Sequence, residues 1–175
     1  AENVAPNDSI SIANGVTLTS ASDISLNATT SGISAAGALT LTAPSSITLT
    51  GNLTAAGAVD LTANSGITLN SNITTSSSSS LNIDANSSTL SLASGVVLSS
   101  AGALTLAASN ASSLGNLTLT STGSTVNINS ALTSTGAVAM TANSGLNLNN
   151  IALTGAGNIT LQGGTGLTLA SGMGI

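Results

Sequence analysis

The chain is expected to be all-β, a parallel β-solenoid with three strands per turn of about 20 to 23 residues and about seven turns, and three observations lead there. One unit occurs twice in succession, GALTLTAPSSITLTGNLTAA at residues 37–56 and GAVDLTANSGITLNSNITTS at residues 57–76, so that Leu39, Ile47 and Leu53 recur as Val59, Ile67 and Ile73. Within each unit apolar residues alternate with polar ones, as in Leu39, Thr40, Leu41, Thr42 and in Ile47, Thr48, Leu49, Thr50, which is the period of a strand with one buried face. Each unit is too short to bury that face alone, so successive turns have to stack like residue on like residue.

Taken in order, residues 1–9 (AENVAPNDS) contain no repeat and read as a leading segment or cap. An alanine at position 1 matches what cleavage at a small-residue site leaves behind, and export is the expectation. Residues 10–175 form one repeat domain whose apolar pairs sort into three ladders. The first, face 1, runs Val16/Leu18, Leu39/Leu41, Val59/Leu61, Leu81/Ile83, Leu104/Leu106, Val126/Ile128, Leu146/Leu148 and Leu167/Leu169. Face 2 runs Ile24/Leu26, Ile47/Leu49, Ile67/Leu69, Leu90/Leu92, Leu114, Leu132, Ile151/Leu153 and Met173/Ile175, with Leu114 and Leu132 lacking apolar partners two residues on. Face 3 runs Ile33, Leu53, Ile73, Val96/Leu98, Leu117/Leu119, Val138/Met140 and Ile159/Leu161. Leu41, Leu49, Leu61, Leu69, Leu106, Leu119, Leu148 and Leu161 are the expected inward core ladder.

Gly37, Gly57, Gly66, Gly102, Gly136, Gly145 and Gly157 fall between strands, where sharp turns with positive φ are expected. The near-duplicate stretches TANSGITLN (residues 62–70) and TANSGLNLN (residues 141–149) fall at different corners of this scheme. Either one corner design serves two edges of the prism or the phase slips between residues 98 and 132. Seven turns at a strand spacing of about 4.8 Å make a rod on the order of 35 Å long.

Composition excludes whole classes of function. There is no Lys, Arg, His, Cys, Phe, Tyr or Trp, and the five acids Glu2, Asp8, Asp23, Asp60 and Asp84 give a net charge of −5. Nucleic acids and anionic lipid surfaces are held chiefly by Lys and Arg, so neither is an expected partner. No run of about 18 apolar residues marks a spanning helix, and the short strands without aromatic girdles do not fit a membrane barrel. Without aromatics the interior has to be filled by Leu, Ile, Val and Ala, which suits a narrow stacked core.

Catalysis has few candidates in such a chain. Asp60 and Asp84 both face outward on the first ladder, one turn apart but offset along the strand, and read as solvated acids, because a carboxylate pair needs a cleft that no insertion here builds. The run GGTG at residues 163–166 resembles the start of a calcium-binding solenoid repeat but lacks the Asp that follows, so it reads as a corner. Asn27, Asn52, Asn72, Asn110, Asn116 and Asn158 each open an N-x-S/T sequon, a pattern that chance supplies in a chain rich in Asn, Ser and Thr. No catalytic residue, metal site or cofactor is expected. Thr40/Thr42, Thr48/Thr50 and Thr118/Thr120 resemble the Thr-x-Thr ladders of some ice-binding proteins. The outward column of face 1, Thr40, Asp60, Asn82, Thr105, Asn127, Asn147, Thr168, is interrupted by Asp and Asn.

The units at residues 37–70 resemble the repeats of filamentous-haemagglutinin-type exoproteins, the long passengers of two-partner secretion. The resemblance implies a right-handed parallel β-helix on the outside of a Gram-negative cell, acting as an adhesin or as a stalk. Together the residues and the resemblance lead to a structural, extracellular or cell-surface protein whose partner is itself, joined head to tail into a filament or adhesive stalk. Ala1, Val4, Leu167, Leu169, Met173 and Ile175 are the expected assembly ends. An adhesin fragment that binds a surface ligand and an ice-binding protein are the two alternatives.

Overall fold

A computed structural model describes residues 9–149 and 152–171. The chain winds from face 3 to face 1 to face 2 and repeats. β1 (Ile10–Ile12), β2 (Val16–Thr19) and β3 (Ile24–Asn27) make the first turn; β4 (Ile33–Ala35), β5 (Leu39–Ala43) and β6 (Ser46–Thr50) the second; β7 (Leu53–Ala55), β8 (Val59–Ala63) and β9 (Gly66–Leu69) the third; and β10 (Ile73–Thr75), β11 (Leu81–Asp84) and β12 (Thr89–Leu92) the fourth. In the fifth turn β13 (Val96–Ser100) is followed by one long strand, β14 (Leu104–Ser113), and in the sixth β15 (Leu117–Ser121) by β16 (Val126–Ser134), each long strand serving faces 1 and 2 in succession. β17 (Val138–Ala142), β18 (Gly145–Leu148) and β19 (Leu153–Gly155) form the seventh turn, and β20 (Ile159–Gly163) and β21 (Gly166–Leu169) belong to the eighth. Every pairing is parallel. The turn beyond the seven expected is accounted for by β1, whose Ile10 pairs with Ile33 and extends the third ladder by one member at its start.

Registers run as the apolar pairs require. On face 1 Val16 stacks on Leu39, then Val59, Leu81, Leu104, Val126, Leu146 and Leu167. On face 3 Ile10, Ile33, Leu53, Ile73, Leu98, Leu119, Met140 and Leu161 form one column. The step from Ile73 to Leu98 is longer than the expected spacing: the serine run at residues 76–80 swells one corner, with Ser77 and Ser78 both at positive φ, and the path from Leu92 on face 2 to Leu98 on face 3 is longer than that from Leu69 to Ile73.

Leu41, Leu49, Leu61, Leu69, Leu106, Leu119 and Leu148 are fully buried in one continuous core, and Leu161, on the eighth rung, is half-buried against it. Leu114 corrects the second ladder. It is 72% exposed, and the inward position above Leu90 belongs to Ala111, which then carries Leu132 and Leu153. The partner column changes from Leu26, Leu49, Leu69 and Leu92 to Ser113, Ser134 and Gly155. The chain also shortens between faces 1 and 2, spanning Leu81 to Leu90 in the fourth turn, Leu104 to Ala111 in the fifth and Val126 to Leu132 in the sixth. β14 reaches this shorter path through a bulge, with Ala108 and Ser109 set against Ser130 alone. Ile151, Met173 and Ile175 of the expected ladder lie outside the described residues.

The phase of the turns does not slip. Residues 62–70 turn from face 1 to face 2 and residues 141–149 from face 3 to face 1, so one corner sequence serves two edges. The reason for the corner glycines differs from the expected one. Of the seven, only Gly66 has a positive φ, +126°. Gly37, Gly57, Gly102, Gly136 and Gly157 lack a side chain because neighbouring rungs press close there: a Cβ on Gly102 would meet Ser78 O at 2.5 Å, and one on Gly136 would meet Asn116 N at 2.6 Å; a Cβ on Gly145 would meet nothing closer than 3.7 Å, and neither reason applies to it.

Polar side chains pin the corners inside and out. Thr75, Ser100 and Ser121 form a buried column where face 3 turns into face 1. The Thr75 hydroxyl donates to Ser79 O at 2.8 Å, Ser100 Oγ lies 2.9 Å from the same carbonyl, and the Ser121 hydroxyl donates to Gly102 O at 2.6 Å. At the exposed edges asparagine carbonyls accept from the rung above: Asn52 Oδ1 from Asn72 N at 3.2 Å, Asn72 Oδ1 from Val97 N at 2.8 Å, and Asn116 Oδ1 from Ala137 N at 2.9 Å.

Candidate functional site

The three described carboxylates are the first place to look for chemistry, and each is tied to a neutral neighbour. Register places Asn82 opposite Asp60 and Thr62 opposite Asp84, so the two acids are diagonal on face 1. Asp60 Oδ1 accepts from Asn82 Nδ2 at 2.7 Å, whereas Asp84 Oδ1 accepts from Asn86 N at 2.7 Å within its own turn. Asp23, exposed at the start of face 2, accepts from the Ser46 hydroxyl at 2.7 Å and from Ser46 N at 2.9 Å, one rung above. The Ser46 hydroxyl first, then the Ser45 hydroxyl and the Ser46 N–H, hold the Asp23 carboxyl at about 2, below its ordinary 3.8. This is an electrostatic pin between the first two rungs. Among the described residues no group of three or more His, Cys, Asp or Glu is placed to hold a metal ion. Gly163 ends β20 and Gly166 begins β21, so the GGTG run forms the corner between them.

The outward faces differ from one another in a way the sequence pattern of face 1 does not reveal. On face 1 polar side chains pair along the rod: Asn82 with Asp60, Asn147 Nδ2 with Asn127 Oδ1 at 2.8 Å, and Asn149 Nδ2 with Asn129 Oδ1 at 2.9 Å. Its central column reads Thr17, Thr40, Asp60, Asn82, Thr105, Asn127, Asn147, Thr168. Face 3 instead presents Ser11, Ser34, Thr54, Thr74, Ser99, Thr120 and Thr141 without interruption before Gln162. Face 2 presents Ser25, Thr48, Thr68, Ser91, Ser112, Thr133 and Thr154. These two hydroxyl columns emerge only when the registers are aligned strand by strand. Face 3 carries no ionisable group among the described residues.

The apolar columns run out to both edges of the rod. At the first turn Leu18 is 37% exposed beside a hollow of about 480 Å³ lined by Thr17, Leu18, Asp23, Ile24 and Leu26, which is the open mouth of the core. At the eighth, Leu167 and Leu169 are each 44% exposed. Among the described residues β1, β2 and β3 have strand neighbours on one side only, as do β20 and β21 at the opposite edge. Of the expected assembly residues, Leu167 and Leu169 therefore sit on an open edge, and Ala1, Val4, Met173 and Ile175 lie outside the described residues. Asn52, Asn72 and Asn116, which open three of the sequons, hold backbone N–H groups of the next rung, and the residues after them, Leu53, Ile73 and Leu117, are buried. No protein-family model, curated protein or solved structure matches this chain.

Proposed function

We propose that the chain is a structural, extracellular solenoid that stacks end to end in a surface filament or adhesive stalk, a role in keeping with its resemblance to filamentous-haemagglutinin-type exoproteins. The observation that carries this reading is the continuity of the apolar columns up to open edges at Leu18 and at Leu167 and Leu169. A strand edge with no neighbour among the described residues, beside exposed leucines, is a template for another strand, and the chain has no basic residue and few acids with which to repel one. The two edges differ, so the contact is head to tail, and a head-to-tail contact that does not close produces an open fibre. Electron micrographs of the purified protein should show thin unbranched fibres. A monodisperse monomer in light scattering at high concentration would refute the proposal.

A second reading has one observation in its favour. The neutral hydroxyl column of face 3, continuous from Ser11 to Thr141 and free of bulges, is the kind of surface that orders water into an ice-like layer. Thermal hysteresis measured on a freezing-point osmometer tests it: activity lost in Thr120→Lys and kept in Thr105→Lys on face 1 supports it, and no hysteresis in the parent protein removes it.

A further inference from the structure

We infer that Asn14 is a self-modifying site, whose side-chain amide is displaced by the following backbone nitrogen to give a succinimide that water opens to aspartate or isoaspartate. The inference is independent of the filament reading. Asn14 is exposed at the corner between faces 3 and 1 in the first turn, and it is the one asparagine of the chain that glycine follows. Ring closure brings the nitrogen of residue 15 onto the side-chain carbon of Asn14, and glycine puts no Cβ in the way. Gly15 has a φ of +72°, and nothing lies within 4 Å of the place a Cβ would take. Ala38 on the next rung touches both reacting groups: its N–H donates to Asn14 Oδ1 at 3.3 Å, and its carbonyl accepts from Gly15 N at 3.1 Å. The first bond draws electron density from the side-chain carbon and steadies the negative oxygen that forms as nitrogen attacks it. The second has to open first, and it sits at an exposed corner leading into β2, where Thr17, Leu18 and Thr19 are exposed and opening costs little.

The other asparagine pins show why this one is labile. Asn52, Asn72 and Asn116 also accept a backbone N–H of the next rung through Oδ1. The residues that follow them are Leu53, Ile73 and Leu117, all buried in the core, so their nitrogens cannot swing onto the side-chain carbon without pulling a core residue out of its column. The step at Asn14 balances with water alone. The bond from Gly15 N to Asn14 Cγ forms as the Cγ–Nδ2 bond breaks, the Gly15 amide proton leaves with the ammonia, and hydrolysis of one ring carbonyl reopens the chain. Aspartate keeps an oxygen for the Ala38 N–H. Isoaspartate inserts an extra backbone carbon at a corner where Gly37 sits so close that a Cβ on it would collide with the Asn14 side chain. Either product adds a carboxylate to a chain with five acidic side chains and no base.

The purified parent protein is held at mildly alkaline pH and sampled over weeks. Anion exchange separates molecules that have gained a negative charge, electron-transfer fragmentation locates the change, and an isoaspartyl methyltransferase with labelled S-adenosylmethionine marks isoaspartate. The first acidic species should be altered at residue 14 and accept methyl groups there, ahead of the asparagines that serine follows, Asn64, Asn70, Asn86, Asn129 and Asn143. Asn14→Gln, whose longer side chain has to close a larger ring, should lose that species. Gly15→Asn should lose it too, because asparagine accepts a positive φ and its Cβ enters open space, and an unchanged circular dichroism spectrum shows that the fold is kept. A parent protein in which no acidic species forms, or in which another asparagine reacts before Asn14, overturns the inference, as does an acidic species that persists unchanged in both variants.

Discussion

Two serine-to-alanine substitutions should move stability in opposite directions. Ser130 occupies an inner corner position that Ala43, Ala63, Ala85 and Ala108 hold on earlier turns, and its hydroxyl is buried with no hydrogen-bond partner. An unsatisfied buried hydroxyl costs about 1–3 kcal/mol, and the alanine column shows that a methyl group fits, so Ser130→Ala should stabilise the fold by that order. Ser121 is also buried, but its hydroxyl donates to Gly102 O at 2.6 Å and accepts from Ser124 N at 3.1 Å. Ser121→Ala strips two corner groups of a partner and should destabilise by about 1–3 kcal/mol. For a chain of this size each kcal/mol corresponds to roughly 2–4 °C in Tm, so the two variants should melt several degrees above and below the parent. Thermal melts followed by circular dichroism, with denaturant midpoints as a check, measure both. A Ser130→Ala variant that melts lower would refute the reasoning, because the hydroxyl would then have a role that the packing does not explain.

Replacing Leu61 with Asp buries a carboxylate in a chain that has no base to pair it, at a cost of several kcal/mol, and an unchanged melting temperature would contradict the inward ladder. Leu114→Ser should change stability by less than about 0.5 kcal/mol, whereas Leu132→Ala, at a fully buried site of the same face, should cost about 2–5 kcal/mol; equal effects in urea titrations would contradict the register. Because Asp23 titrates lower in the folded protein than its ordinary 3.8, its ionised form stabilises the fold above that value, and the contribution fades as pH falls through about 2. Asp23→Asn should therefore melt below the parent at neutral pH and together with it under strongly acid conditions, and a gap that persists in acid would contradict the assignment.

The fold was legible because alternation and repetition are carried by side chains of one kind. Leu39, Val59, Leu81 and Leu104 have equivalents in every turn of face 1, and the structure stacks them in that order. What misled was the assumption that every rung keeps the same inward chemistry. When the corner shortens in the fifth turn, Ser113 takes the inward place that Leu92 held below it, and the leucine that the ladder selects, Leu114, turns outward by one residue. A serine inside a core has no hydrophobic signature. The clue lay in Ala111, at the spacing the shorter corner requires. The corner glycines taught a similar lesson: their positions were readable, but close packing between rungs depends on the third dimension. Candidate surfaces were least visible, since the hydroxyl columns of faces 2 and 3 become continuous only when strands of unequal spacing are aligned.

The taper of face 2, from leucine at Leu92 to serine at Ser113 and Ser134 and glycine at Gly155, makes the rod mechanically directional. In a stack whose stability is approximately a sum over neighbouring turns, the leucine-filled turns from the second to the fourth bind one another more strongly than the later ones do. A pulling force applied along the chain would peel turns from the thinner side first and meet rising resistance on reaching the fourth turn. In the proposed filament, subunits would yield one thin end at a time, lengthening under load while their thick ends hold, and each peeled segment would have an intact template on which to rewind when the load is released.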